Sequence, residues 1–168
     1  MTVKQSELAW IGEARKHIGL AEIKGSKHNA EIIKWLTELK AWWKDDETAW
    51  CGVFVAWCLK SAGIPYPKDW YRALAYADKT KKLKAPCYGC VAVKTRKGGG
   101  HVCFVVGMTP SGKLVCLGGN QSDKVCFALY DKSDFEGFYW YGKTNTPLAI
   151  RFELPVLSGV TATKVTEA

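Results

Sequence analysis

No stretch of this chain comes near the ~20 consecutive apolar residues that a membrane-spanning helix needs. Its first residues, MTVKQSELAW, also lack the apolar core of a secretory signal, so the protein is expected to be made in a cytosol. Acidic side chains are scarce: 16 Asp and Glu against 24 Lys and Arg leave a net charge of +8. That balance favours anionic partners, whether nucleic acid, a membrane surface or a polymer such as a bacterial cell wall. Internal repeats, low-complexity tracts and obvious linkers are missing. The 168 residues are therefore expected to form one domain, residues 1–168, with a tail that frays from about Ser158. An even set of cysteines is missing as well. Seven cysteines without a secretory signal argue against a disulfide framework and for buried thiols that pack as small hydrophobes.

What is present reads as an ordinary globular chain, 48% apolar and 24% charged. Helical periodicity comes first. LAWIGEARKHIGL places Leu8, Ile11, Ala14 and Ile18 on one face and predicts an amphipathic helix ending at Gly19. NAEIIKWLTELKAWW predicts a second helix, capped by Asn29, with Ile32, Ile33, Leu36 and Leu39 turned inward. After the polar break KDDET, the run ETAWCGVFVAWCLKSAG predicts a helix buried on most sides and stopped by Gly63 and Pro65. PKDWYRALAYADKT suggests a further short helix. Beyond APCYG the pattern changes to short β-branched runs, CVAVKT, HVCFVVGM, KLVCLGG and KVCFALY, separated by the turn signals RKGGG, TPSG and NQSD. These predict an antiparallel meander, with a last strand in FYWYG or LAIRFEL. The fold class is α+β, with N-terminal helices packed on the meander.

Cys51 opens the buried helix. A helix N-terminus favours negative charge, and a nearby imidazolium adds to it, drawing a thiol pKa down to about 3.5–7.5. A hairpin closed through Thr109–Gly112 sets Met108 opposite Lys113 and His101 opposite Asn120, at one rim of the sheet. Opposed Cβ atoms then stand about 4.5–5.5 Å apart, within reach of a side-chain hydrogen bond. Cys, His and Asn are the residue types of a thiol nucleophile, its base and the group that orients the base. Gln121 is the alternative orienter. The backbone N–H of Cys51 or Gly52 can face a developing oxyanion, and Gly52 leaves room for a substrate carbonyl. Trp50 and Gln121 join Gly52 on the oxyanion and substrate side.

At these residues the chain resembles the CHAP family (cysteine, histidine-dependent amidohydrolase/peptidase) of papain-like cell-wall hydrolases, above all its small phage-associated members. The matching pieces are WIGEARKHIGLAEIKGSKHNAEII, DETAWCGVFVAWCLKSAGI, GGGHVCFVVG and LGGNQSDKV, in the family's order. The resemblance implies a papain-like fold, with Cys51 as nucleophile, His101 as general base and acid, and Asn120 orienting His101. It implies a peptidoglycan amide as substrate, cut as an N-acetylmuramoyl-L-alanine amidase or an endopeptidase, without metal or other cofactor. It also implies an endolysin that stays in the host cytoplasm until lysis and then acts in the periplasm or cell wall, as a monomer. Many members carry a carboxylate near the position of Gly118; this chain reads GGN there. Cys90 stands where relatives often have Asp.

Other readings compete. Cys58, two turns beyond Cys51, is expected to be a packing residue. Cys87, Cys90, His101 and Cys103 could hold zinc, but no second knuckle of the usual spacing exists. Asp45, Asp46 and Glu47 could bind calcium, although the ligand ladder of an EF-hand loop is absent; otherwise they form a solvated approach to the helix, with Asp46 or Thr48 capping it. His17 and His28 are expected at the surface, and His28 could also line a substrate groove. KTKKLK, Lys79 to Lys84, reads as a solvated face or a grip on anionic wall or outer-membrane polymers, not as a nucleic-acid site. Of Trp35, Trp42, Trp43, Trp50 and Trp57, some belong to the core and the rest could line a glycan groove. The same fold could also serve as an interbacterial toxin, or as a non-enzymatic wall-binding or nucleic-acid-binding module.

Overall fold

Helix α1 (Ala9–Lys16) buries Trp10, Ile11 and Ala14, as its spacing requires. The structure is a computed structural model that describes residues 7–25 and 27–160. Ile18, expected on the same stripe, is 43% exposed. The chain turns away at Gly19 (φ +96°), whose N–H bonds the Val125 carbonyl at 2.8 Å. Helix α2 (Ala30–Glu38) is capped by Asn29, whose side chain accepts from the Glu31 N–H at 2.9 Å. Helix α3 (Cys51–Ser61) buries every residue from Cys51 to Leu59, which explains its lack of a polar face. It ends in a paired closure: Ile64 N–H to Leu59 O at 2.9 Å and Gly63 N–H to Lys60 O at 3.0 Å, with Gly63 at φ +71°. The segment expected as a further helix forms two short 3₁₀ turns instead, Ala73–Tyr76 and Lys79–Lys81.

The sheet comprises β1 (Val91–Arg96), β2 (Gly99–Met108), β3 (Leu114–Gln121), β4 (Lys124–Tyr130) and β5 (Gly137–Tyr139), in the order β4-β3-β2-β1-β5. Its ladders are antiparallel. The first four strands form the expected meander. The fifth crosses to pair with β1 on the far edge, while LAIRFEL yields only a 3₁₀ turn at Ala149–Phe152. Helix α3 packs on β2 and β3, with Phe54 against Phe104 at 6.3 Å between ring centroids. Trp35 of α2 closes the other side against Trp50, Phe54 and Trp57 at 6.4, 5.8 and 6.1 Å. Each such aromatic removes on the order of 200 Å² from water, so this cluster dominates the apolar contribution to the helical layer. The KTKKLK segment lies along β5: Leu83 N–H bonds Phe138 O at 2.8 Å and Trp140 N–H bonds Lys81 O at 2.9 Å. Its lysines thus guard a sheet edge. The tail expected to fray from Ser158 lies mostly outside the described residues; just before it, Pro155–Leu157 bonds both main-chain groups of Met108.

Two features of the hairpins set the site. Near the β2–β3 loop the register differs from expectation by one residue, with Met108 opposite Leu114. Val106 is then the extra residue of a bulge, after which Val105 pairs Cys116 and Phe104 pairs Leu117, in the expected register. The second feature is the β3–β4 turn. Ser122 and Asp123 both take positive φ (51° and 61°), so a two-residue turn joins Gln121 to Lys124. Gly119 and Asn120 fall between the paired positions, and Asn120 itself has φ +57°.

Candidate active site

The start of α3 faces the start of β2. No side chain caps α3, whose N-cap position is Trp50. The first-turn N–H groups are thus left without intrahelical acceptors, a setting that favours negative charge. Cys51 is 6% exposed and His101 2%. Burial alone pushes the Cys51 thiol up. A hydrogen bond to His101 and its charge, together with the Val102 and Gly52 N–H groups, outweigh burial and hold the thiol below the ordinary 9.0. For His101 burial opposes the charged form, yet contacts with the Cys103 and Cys51 thiols hold it well above 6.5. Both directions favour the same charge state, thiolate beside imidazolium, in a poorly solvated place where the pair attracts strongly.

The neighbouring thiols differ. Burial and the Cys116 thiol push Cys103 well above 9.0, so it stays neutral beside the imidazole. Cys58 is also pushed well above 9.0 by burial and by the Glu13 charge. Cys87 and Cys90 meet each other, with the Cys87 N–H donating to the Cys90 sulfur at 3.4 Å. All seven cysteines are free thiols. Among the described residues no three His, Cys, Asp or Glu side chains converge as metal ligands would.

The partner of His101 is Gln121. His101 Nε2 lies 3.0 Å from Gln121 Oε1, and the Gln121 Nε2 group donates to the Cys126 carbonyl at 2.7 Å. Asn120, the expected orienter, is 2% exposed, and its Oδ1 is buried without a partner. The left-handed backbone at Asn120 breaks the strand's alternation and brings Gln121 to the imidazole in its stead. The two preceding glycines make room. A Cβ on Gly118 would lie 2.7 Å from Gln121 Oε1 and 2.8 Å from Cys103 Cβ; one on Gly119 would lie 2.6 Å from Phe54 Cβ. The two glycines of GGN thus leave the volume that the Gln121 and Phe54 side chains fill.

Gly52 and Trp50 differ from their expected settings. A Cβ on Gly52 would stand 2.5 Å from the Trp70 carbonyl, so the space is occupied by the 70–71 backbone rather than open to a substrate carbonyl. Its own carbonyl accepts from the Tyr76 hydroxyl at 2.8 Å. Trp50 is 1% exposed, its indole N–H bonded to Glu22 Oε2 at 3.0 Å. Burial raises the Glu22 carboxyl above its ordinary range; the Trp50 bond opposes this, and Asp123, Asp46 and Glu47 add to it.

Asp46 is not a solvated cap. Fully buried, it accepts from Ile23 N–H and Asn29 N–H, both at 2.7 Å, and meets His28 Nδ1 at 3.0 Å. These bonds outweigh burial and hold its carboxyl below 3.8. Asp46 therefore ties the 21–29 loop to the approach of α3, and His28 is engaged there. Thr48 does not cap α3 either; its N–H and that of Glu47 bond Asp45 Oδ1 at 2.7 and 3.0 Å. His17 is also tied down, 3.0 Å from Glu13 Oε1 and edge-on to Trp35.

No curated protein and no solved structure matches the chain. Among the described residues no helix is long and apolar enough to cross a membrane. The model of the CHAP domain matches residues 43–120, which span α3, β1, β2 and β3 as far as Asn120. Cys51 and His101 are in contact inside that span, so the likeness to the CHAP domain covers the reacting pair.

Proposed function

We propose that this protein hydrolyses an amide bond of peptidoglycan through a Cys51 thioester, with His101 as general base and acid. The observation that carries the reading is the Cys51–His101 contact at an uncapped helix start, with thiol and imidazole both shifted toward the charged pair. The Cys51 sulfur attacks the carbonyl carbon, and the carbonyl π electrons move to oxygen. That oxyanion is met by a backbone N–H of the first turn of α3. Its collapse breaks the C–N bond, and the imidazolium of His101 gives its proton to the departing amine. Neutral His101 then takes a proton from water, the hydroxide attacks the thioester, and the thiolate leaves beside the re-formed imidazolium. The products are a carboxylic acid and an amine.

The net charge of +8 suits an anionic wall polymer. Trp42, 74% exposed and edge-on to Trp43 and Tyr71, offers an aromatic face to a sugar ring or stem peptide. The biological role we assign is that of a phage endolysin, held in the host cytoplasm until lysis and acting as an amidase or endopeptidase. Mass spectrometry of digested peptidoglycan tests this. New amine and carboxyl termini at one bond, absent with Cys51→Ala, are expected; cleavage that survives Cys51→Ala overturns it.

A further inference from the structure

Two neighbouring amides, Asn120 and Gln121, end β3, and the Gln121 amide is hydrogen-bonded to His101. Asn120 has a buried, unpartnered Oδ1. Gln121 is held at three points: Nε2 donates to Cys126 O at 2.7 Å, Oε1 meets His101 Nε2 at 3.0 Å, and the Tyr130 hydroxyl donates to Oε1 at 3.4 Å. The Cys126 bond settles which way the amide points, since a carbonyl accepts only from the NH₂ group. Oε1 must then face the imidazole, and the hydrogen between them belongs to His101 Nε2.

We infer that Gln121 is the positioning residue of the site: clamped by the Cys126 carbonyl, it accepts the His101 Nε2 hydrogen and leaves Nδ1 for the Cys51 thiol. The inference rests on Cys51 and His101 being the reacting pair. It also explains Gly118. The amide occupies the volume a side chain there would enter, with Oε1 2.7 Å from where a Cβ would stand. A neutral amide arriving from three residues later fills that place. An amide orients the ring without adding negative charge, so it fixes the tautomer while raising the imidazole pKa less than a carboxylate would. The titratable groups around the ring are Cys51 from α3, Cys103 on β2, and Tyr130 from β4, its ring centroid 6.1 Å away. Lys94 of β1 pairs opposite His101 and holds its Nζ 5.2 Å from the Tyr130 ring.

The test is the rate of Cys51 alkylation by iodoacetamide against pH, with the modified site read by mass spectrometry, alongside peptidoglycan turnover. Wild type, Gln121→Ala, Gln121→Glu and Asn120→Ala are compared. Gln121→Ala should move the onset of Cys51 alkylation up toward that of an ordinary thiol and slow it roughly tenfold at neutral pH. Its kcat should fall roughly 100-fold with KM held, the signature of a misplaced base. Gln121→Glu should keep the low onset and move upward the second inflection, where His101 loses its proton. A Gln121→Ala profile like wild type overturns the inference, as does a larger loss in Asn120→Ala than in Gln121→Ala. If Gln121→Ala does not fold, Gln121→Glu decides: a raised second inflection supports the inference and an unmoved one overturns it. If alkylation follows the expected order while none of the proteins cuts peptidoglycan, the inference stands and the substrate reading falls.

Discussion

Cys51 and Cys58 occupy one helix, two turns apart, and differ in nearly everything that governs a thiol. Both are buried. Cys51 sits at the uncapped start of α3, where backbone N–H groups and His101 outweigh the cost of charge in a buried place. Cys58 sits mid-helix, where burial and the Glu13 charge both oppose ionisation. Burial therefore does not silence a cysteine by itself; what matters is whether polar partners are buried with it.

The largest expected effect breaks the comparison at its reactive end. Cys51→Ala should lower turnover by roughly 10⁴-fold or more while the melting temperature barely moves. Comparable losses from Cys58→Ala in the same digest would erase the distinction between the two thiols. Next comes the support beneath Cys51. Asp46→Ala strands the Ile23 and Asn29 N–H groups and should cost about 3 kcal/mol in urea unfolding. Because the Asp46 carboxyl is held below 3.8, its contribution is fully present above that pH and is lost as pH falls through the lower folded value. Asp46→Asn should correspondingly flatten the acid limb of the stability curve.

A pH profile sharpens the same contrast. The reactive pair needs Cys51 ionised and His101 protonated. Activity should rise at a pH below the 9.0 of an ordinary thiol and fade at one above the 6.5 of free imidazole, with the two limbs assigned by kcat/KM titration. Cys58→Ala is a smaller change: about 1 kcal/mol of stability and an unchanged pH profile. The smallest effect is expected at the surface, where Trp42→Ala should raise KM a few-fold, roughly 1 kcal/mol of aromatic contact, with kcat unchanged.

Much of this was legible residue by residue. Helical spacing placed α1, α2 and α3, Asn29 capped where a cap was expected, and four strands followed their β-branched runs. The fifth strand was harder: β5 spans only Gly137–Tyr139 and gains its place by pairing with β1, a contact that sequence patterning does not encode. Asp46 was misread because KDDET looks like a solvated break. Its burial depends on two N–H groups more than fifteen residues upstream, which only the folded loop presents.

The rim of the sheet shows the division most clearly. By itself the sequence determined the α+β class, the cysteine at a helix start and the histidine at a strand start, because periodicity and terminus chemistry are local properties. The choice between Asn120 and Gln121 belonged to the tertiary structure. It turned on a bulge at Val106, a left-handed backbone at Asn120 and a carbonyl at Cys126 that fixes one amide's direction. Adjacent residues on a strand point to opposite faces, so a single irregular φ decides which amide meets the imidazole, and that φ is set by the packing around it rather than by the residue alone.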